Sequence, residues 1–180
     1  EVRYKEMLEV AKTLDLTGMN VLDLPDSGLK EMDPRDIEKV VKDEIETLKP
    51  NVVVTYAVHG ISGFHDHLII HGIVKRVYVK LAEKHDYLKR LAFFTLTEEN
   101  AAKQTHFKIN GSKDEEIDCV IKVDEIDMEK MHKSLDCYVT FRETILATKI
   151  HEQLTNEVVF EIFMEDHQPK LNDLFEKLKK

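Results

Sequence analysis

The stretch from Val52 to Val79, VVVTYAVHGISGFHDHLIIHGIVKRVYV, constrains this chain more than any other. It opens on Val52, Val53 and Val54, a β-branched run that predicts a buried strand. It closes on Leu68, Ile69, Ile73, Val74 and Val77, whose spacing predicts a helix. The loop between them carries His59, Gly60, Gly63, His65 and His67, and His71 follows one turn later on the face of His67. Open α/β sheets gather ligands where a strand ends and a helix begins. A chemical site in this chain is expected there.

The flanking pattern sets the fold class. Met7, Leu8, Ala11 and Leu14 predict a helix over Tyr4 to Leu14, and Asn20 to Leu24 reads as a short strand broken by Pro25-Asp26-Ser27-Gly28. Asp33-Pro34 is an N-cap followed by an N1 proline, and Ile37, Val40, Val41, Ile45 and Leu48 make one helix face that ends at Lys49-Pro50. Strands are expected at Arg90 to Thr95, Ile117 to Val123 and Val158 to Met164, with a polar irregular excursion over Glu98 to Ser112. One or two helices are expected from Asp127 to about Thr148, and a closing helix from Pro169 to Leu178. Alternating helices and strands imply an α/β fold, Rossmann-like, with a mostly parallel sheet, helices on both faces and a small antiparallel edge. Without repeats or linkers, residues 1–180 read as a single domain.

Composition narrows the partners. A net charge of −9 argues against nonspecific nucleic-acid binding and against an anionic membrane surface. The apolar runs fall well short of the roughly 20 residues of a membrane span. Two cysteines, Cys119 and Cys137, lack zinc-knuckle spacing and fit a reducing cytoplasm. The chain starts at Glu1 inside an expected helix, which predicts a missing natural N-terminus and an exposed sheet edge, and with them either association, for instance as a homo-oligomer, or poor solubility unless the missing segment stays bound.

Several residues carry two readings at this stage. His65-Asp66-His67 can hold a metal ion with the carboxylate orienting a ring, or face solvent. Asp66 can serve acid–base chemistry or cap the helix that starts near His67. His71 is a second ligand, or a solvated or capping residue. Arg3 and Glu6 are a surface ion pair by default. Asp23 and Asp26 sit where active-site loops gather, yet PDSG is ordinary turn chemistry.

Four segments in succession resemble one family: RxxE at Arg3 and Glu6, LDLPDSGL from Leu22 to Leu29, KPNVVVTY from Lys49 to Tyr56, and GISGFHDH from Gly60 to His67. The succession is similar to the PIG-L/LmbE zinc-dependent deacetylases, which remove an acetyl group from N-acetylglucosaminyl (GlcNAc) compounds, including precursors of bacillithiol and mycothiol and the GPI-anchor intermediate. The resemblance implies zinc, or another divalent metal, and a small-molecule GlcNAc conjugate of bacillithiol-precursor type. It implies His67 as a metal ligand, Asp66 as the residue orienting an active-site histidine, and Arg3 near the substrate. Phe64 stands where the family has its active-site histidine, which leaves His65 as a catalytic candidate and His59 as a substrate-binding one. The family's [AP]HPDD(E) motif, which supplies two ligands and the general base, does not occur in these residues. The expectation is therefore a chain that lacks part of its active site and is inactive alone. A non-catalytic sugar- or metal-binding protein of the same fold is the alternative.

Overall fold

In a computed structural model, residues 2–104, 106 and 108–178 are described. The chain opens with helix α1 (Val2–Thr13), followed by an extended passage without secondary structure to a single 3-10 turn at Leu29–Glu31. Helix α2 (Pro34–Leu48) starts where the sequence predicts, because the Asp33 side chain accepts a hydrogen bond from the Arg35 amide and Pro34 needs no donor. Strand β1 (Val52–Tyr56) and helix α3 (His65–Ala82) follow, then strand β2 (Arg90–Thr95) and a short helix α4 (Glu98–Ala102). The remainder is strand β3 (Cys119–Lys122), helices α5 (Glu125–Asp136) and α6 (Arg142–Thr148), and strand β4 (Glu157–Ile162).

The four strands form one sheet in the order β1-β2-β4-β3. β1 and β2 run parallel, with Val53 opposite Leu91 and Thr55 opposite Phe93, as a crossover through α3 requires. β4 lies antiparallel to both β2 and β3. The fold is thus mixed α/β, but the antiparallel part is larger than the small edge expected, since one strand pair is parallel and two are antiparallel.

Alternation along β2 divides the core. Leu91 and Phe93 face α3 and join Ala57 and Val74. That cluster adjoins the apolar faces of α2 and α3, where Ile37, Ile45, Ile73, Val77 and Leu81 are buried together. Ala92 and Phe94 face the other way, toward Cys119, Phe160, Ile162, Leu171 and Leu174. The second face is covered by the C-terminal segment, which corrects the expectation of a closing helix over Pro169 to Leu178. Its backbone is spent elsewhere: the Leu171 amide donates to the Asp118 carbonyl at 2.8 Å, and the Val120 amide donates to the Leu171 carbonyl at 2.9 Å. Arg90, 1% exposed, donates to the carbonyls of Leu174 and Glu176 at 2.6 and 3.0 Å and forms a two-pronged pair with Glu165. The Leu171 amide and carbonyl are thus paired with the strand-side residues Asp118 and Val120 rather than with helical neighbours.

Asn20 to Leu24 is likewise not a strand. It has no ladder partner among the described residues, and Val21 and Leu22 are exposed. A short apolar run becomes a strand only when a neighbour takes its backbone groups.

Candidate functional site

The site is built on the loop leaving β1. The Ala57 amide donates to the Phe94 carbonyl at 3.1 Å, and the Gly60 amide turns back to the Ala57 carbonyl at 2.8 Å. Gly60 takes φ +61 and Gly63 φ +70, conformations that side-chain-bearing residues avoid. Ile61 adopts φ 56 despite its branched Cβ, and its carbonyl is held by the amide and side chain of Asn110 at 2.7 and 3.0 Å. A β-branched residue there stores strain of about 1–3 kcal/mol, a feature that clusters at ligand-binding sites.

The loop delivers His67. Its Nδ1 lies 2.9 Å from the Gly60 carbonyl oxygen and 3.0 Å from Ser62 Oγ. A carbonyl only accepts, so Nδ1 carries the hydrogen and Nε2 keeps its lone pair in the neutral ring. The ring stacks on Tyr56 with centroids 4.0 Å apart. Metal-ligating histidines commonly carry such a bond on the other ring nitrogen, and His67, unlike the core residue His71 with its similar bond to the Tyr56 carbonyl, lines a cavity. Burial pushes the Tyr56 hydroxyl pKa upward, so that residue stays neutral beside the ring.

Asp66 sits in the first turn of α3 rather than at its cap, which is Phe64 and makes no capping bond. Its carboxylate accepts from the Leu29 amide at 3.3 Å and so ties the PDSG passage to the helix. That tie brings Asp26 beside His67. Both residues line two neighbouring cavities, one of about 250 Å³ shared with Ser27, Lys30, Phe64, His65 and Asp66. The other, about 650 Å³, is shared with Arg3 and a group of apolar side chains.

Arg3 and Glu6 are more than a surface pair. Glu6 is buried, and it accepts from the Thr140 amide and hydroxyl, each at 2.7 Å, as well as from Arg3 at 3.3 Å. Burial pushes its pKa up, but these hydrogen bonds and the Arg3 charge outweigh that and hold the carboxyl below its ordinary value. The Arg3 guanidinium lies 3.9 Å from the centre of the Phe141 ring and 5.9 Å from that of Tyr138.

The remaining candidates fall apart from this group. His59 lines neither cavity: its Nδ1 accepts from the Ile61 amide at 3.0 Å, and its Nε2 lies 3.3 Å from both Thr95 Oγ1 and Ser112 Oγ. Burial pushes its pKa down. His71 is buried in the core, bonded at Nδ1 to the Tyr56 carbonyl at 2.8 Å and packed on Phe93, which replaces the expectation of a solvated, capping or ligating residue. His65 is exposed at the rim. Tyr138 and Phe141 were invisible as site residues in the sequence, because long-range contacts with α1, such as Glu6 with Thr140 and Met7 with Tyr138, bring them to the cavity. Ser62 could be found from its place between the two loop glycines.

Among the described residues, no group of three or more His, Cys, Asp or Glu side chains is placed to hold a metal ion. A catalytic zinc takes about three protein ligands, so the fit is to one ligand position, His67. Residues 1–78 match the family described as PIG-L, GlcNAc-PI de-N-acetylase. The match covers less than half of the 180 residues and spans α1, α2, β1 and most of α3, including Arg3, Asp26 and His67. No curated protein matches the chain.

Proposed function

We propose that the full-length protein hydrolyses the N-acetyl group of a GlcNAc conjugate with the help of zinc or a similar divalent ion. One observation carries the reading: within the family-matched segment, His67 presents an electron pair at Nε2 and shares a single cavity with Arg3 and Asp26. When bound, such an ion lowers the pKa of its water and polarises the amide carbonyl. The protein's own residues bind and orient. Asp26 makes no hydrogen bond among the described residues and can accept from sugar hydroxyls. Arg3 spends one donor on Glu6 and retains others for the substrate. Asp66 holds the Leu29 amide and thereby keeps Asp26 at the cavity. His67 is the metal ligand these residues offer.

The bacillithiol-precursor type lies within this substrate class, and a cytoplasmic setting accords with two cysteines that are both free thiols. The test is acetate release from a GlcNAc conjugate by the full-length protein, before and after chelation and zinc return. Activity that follows zinc and falls about a hundredfold or more in His67→Ala supports the reading. Activity unchanged by His67→Ala overturns it. Phe64, 62% exposed and 5.7 Å from His67, motivates the second reading, a binding protein without turnover. That reading predicts sugar binding with no acetate released.

A further inference from the structure

The Gly60–Ile61 peptide unit is held at both of its polar ends. Its carbonyl accepts from His67 Nδ1 at 2.9 Å, and its amide donates to His59 Nδ1 at 3.0 Å. A neutral His59 ring therefore carries its hydrogen on Nε2, which lies 3.3 Å from both Thr95 Oγ1 and Ser112 Oγ. Ser112 Oγ in turn donates to the Glu161 carboxylate, because a carboxylate only accepts. Its lone pairs are left for His59 and for the Thr95 hydroxyl at 2.6 Å. Every donor along this path points the same way, from His67 through the peptide, His59 and Ser112 to an acidic residue of β4.

The far end of the path is rigid. Thr95 and Ser112 are 0% and 1% exposed, and Glu161 stands opposite Phe93 within the sheet. The Ser112 amide donates to the Leu96 carbonyl at 2.8 Å, which seats the residue at the end of β2. Gly111 permits that seat, since a Cβ there would lie 2.5 Å from the Thr97 carbonyl oxygen. On its other side, Asn110 holds the Ile61 carbonyl through amide and side chain. The three residues from Asn110 to Ser112 thus grip one turn of the loop from two directions. Thr95, Ser112 and Glu161 lie beyond the family-matched segment, whereas His59 and His67 lie within it.

We propose that Glu161, Ser112 and His59 are positioning residues for His67, fixing the tautomer and angle of its ring through the Gly60–Ile61 peptide. The inference rests on the reading of His67 as a metal ligand and deepens it. A chain of hydrogen bonds that ends on a carboxylate polarises each link, which makes Nε2 of the last ring a better donor of electrons. It also sets the peptide plane. Without the His59 acceptor the plane is free to rotate, and Ile61, strained at φ 56, relaxes out of the left-handed region. The rotated carbonyl leaves Nδ1, and the ring hydrogen then divides between Nδ1 and Nε2, the nitrogen a metal ion needs.

The experiment reads the His67 ring nitrogens of the metal-free full-length protein by long-range proton–nitrogen correlation spectroscopy. The parent should show one neutral tautomer, with its hydrogen on Nδ1. His59→Leu should convert it to a mixture of the two tautomers. His59→Asn should restore the parent pattern, because its side-chain oxygen accepts from the amide two residues on. Ser112→Ala, which cuts the link to Glu161 and leaves the loop sequence intact, should shift the ring nitrogens part of the way. Lys108→Ala, at an exposed residue of the same excursion, should leave them unmoved. A parent that is already a mixture overturns the proposal. So does a His67 pattern unchanged in Ser112→Ala and in whichever His59→Leu protein folds, even where Tm falls, because a merely structural network lowers Tm alone. Zinc competition on the same proteins should show affinity reduced about tenfold or more in His59→Leu. Zinc affinity indifferent to His67→Ala removes the metal-ligand reading, while the tautomer pattern still decides whether the network positions the ring.

Discussion

Gly60→Ala tests the geometry that presents His67. The substitution meets two obstacles. Gly60 sits at φ +61, where a Cβ costs about 1 kcal/mol. The new methyl would also lie 2.9 Å from His67 Cβ and 3.1 Å from Leu68 Cδ2, both at the start of α3 and neither the loose end of a long flexible chain. Relieving such contacts by backbone movement costs about 1–3 kcal/mol more. Gly63 supplies the control, because it shares the left-handed conformation at φ +70 but a Cβ there meets nothing within 4 Å. Gly63→Ala should therefore lose about 1 kcal/mol and Gly60→Ala about 2–4 kcal/mol, or roughly 4–16 °C in Tm for a chain of this size. Thermal unfolding measures the difference, and the His67 ring resonances in a heteronuclear NMR spectrum report whether the ring has moved. Equal Tm losses for the two variants, with His67 resonances unshifted in Gly60→Ala, would refute the close approach of loop and helix.

Arg90→Met should cost about 3 kcal/mol, the low end for breaking a buried pair because Glu165 is 24% exposed, and amide exchange in residues 171–176 should speed up. Unchanged exchange there would show that Arg90 does not hold the C-terminal segment. Burial keeps the His59 pKa below its ordinary value near 6.5, so its contribution to stability is complete above that pH. It is lost as pH falls toward the lower folded value, since the unfolded chain takes up the proton first. Urea midpoints measured across that window should decline in the parent and decline less in His59→Asn, and equal declines would contradict the assignment. Burial pushes the Cys119 thiol up to about 11, so a disulfide reagent should label one thiol quickly in the native protein, and Cys137→Ser should abolish that fast phase.

What was legible in the sequence follows the range of the interactions involved. Helix α2 was readable to the residue at its start because Asp33, Pro34 and the apolar stripe through Ile37 and Ile45 are all local signals. The β1–loop–α3 unit was readable for the same reason, since two glycines with positive φ and a β-branched strand lie within a dozen residues. The sheet's strand order was not. Val158 to Met164 was visible as a strand, but its insertion between β2 and β3 depends on pairings such as Phe94 with Phe160 across more than 60 residues. The C-terminal segment misled because Leu171, Leu174, Phe175 and Leu178 have helical spacing, whereas Asp118 and Val120, far upstream, take the backbone bonds of Leu171, and Arg90 anchors the carbonyls of Leu174 and Glu176. Four histidines of one loop and helix looked alike as a string. Their fates were decided by neighbours out of sequence range, Ser112 and Thr95 for His59 and Phe93 for His71.

The RxxE pair shows how a modest local signal acquires a role at long range. In isolation, Arg3 and Glu6 would neutralise each other for a few tenths of a kcal/mol on a wet surface. Here Glu6 is buried, and a buried carboxylate must find donors. Thr140 supplies two of them from 134 residues away, so Glu6 does not depend on Arg3 alone. The guanidinium then makes a single bond to Glu6 and lies over Phe141, at the lining of the larger cavity. The carboxylate joins the family-matched residues 1–78 to the segment beyond them, and that structural task falls to Glu6 rather than to Arg3.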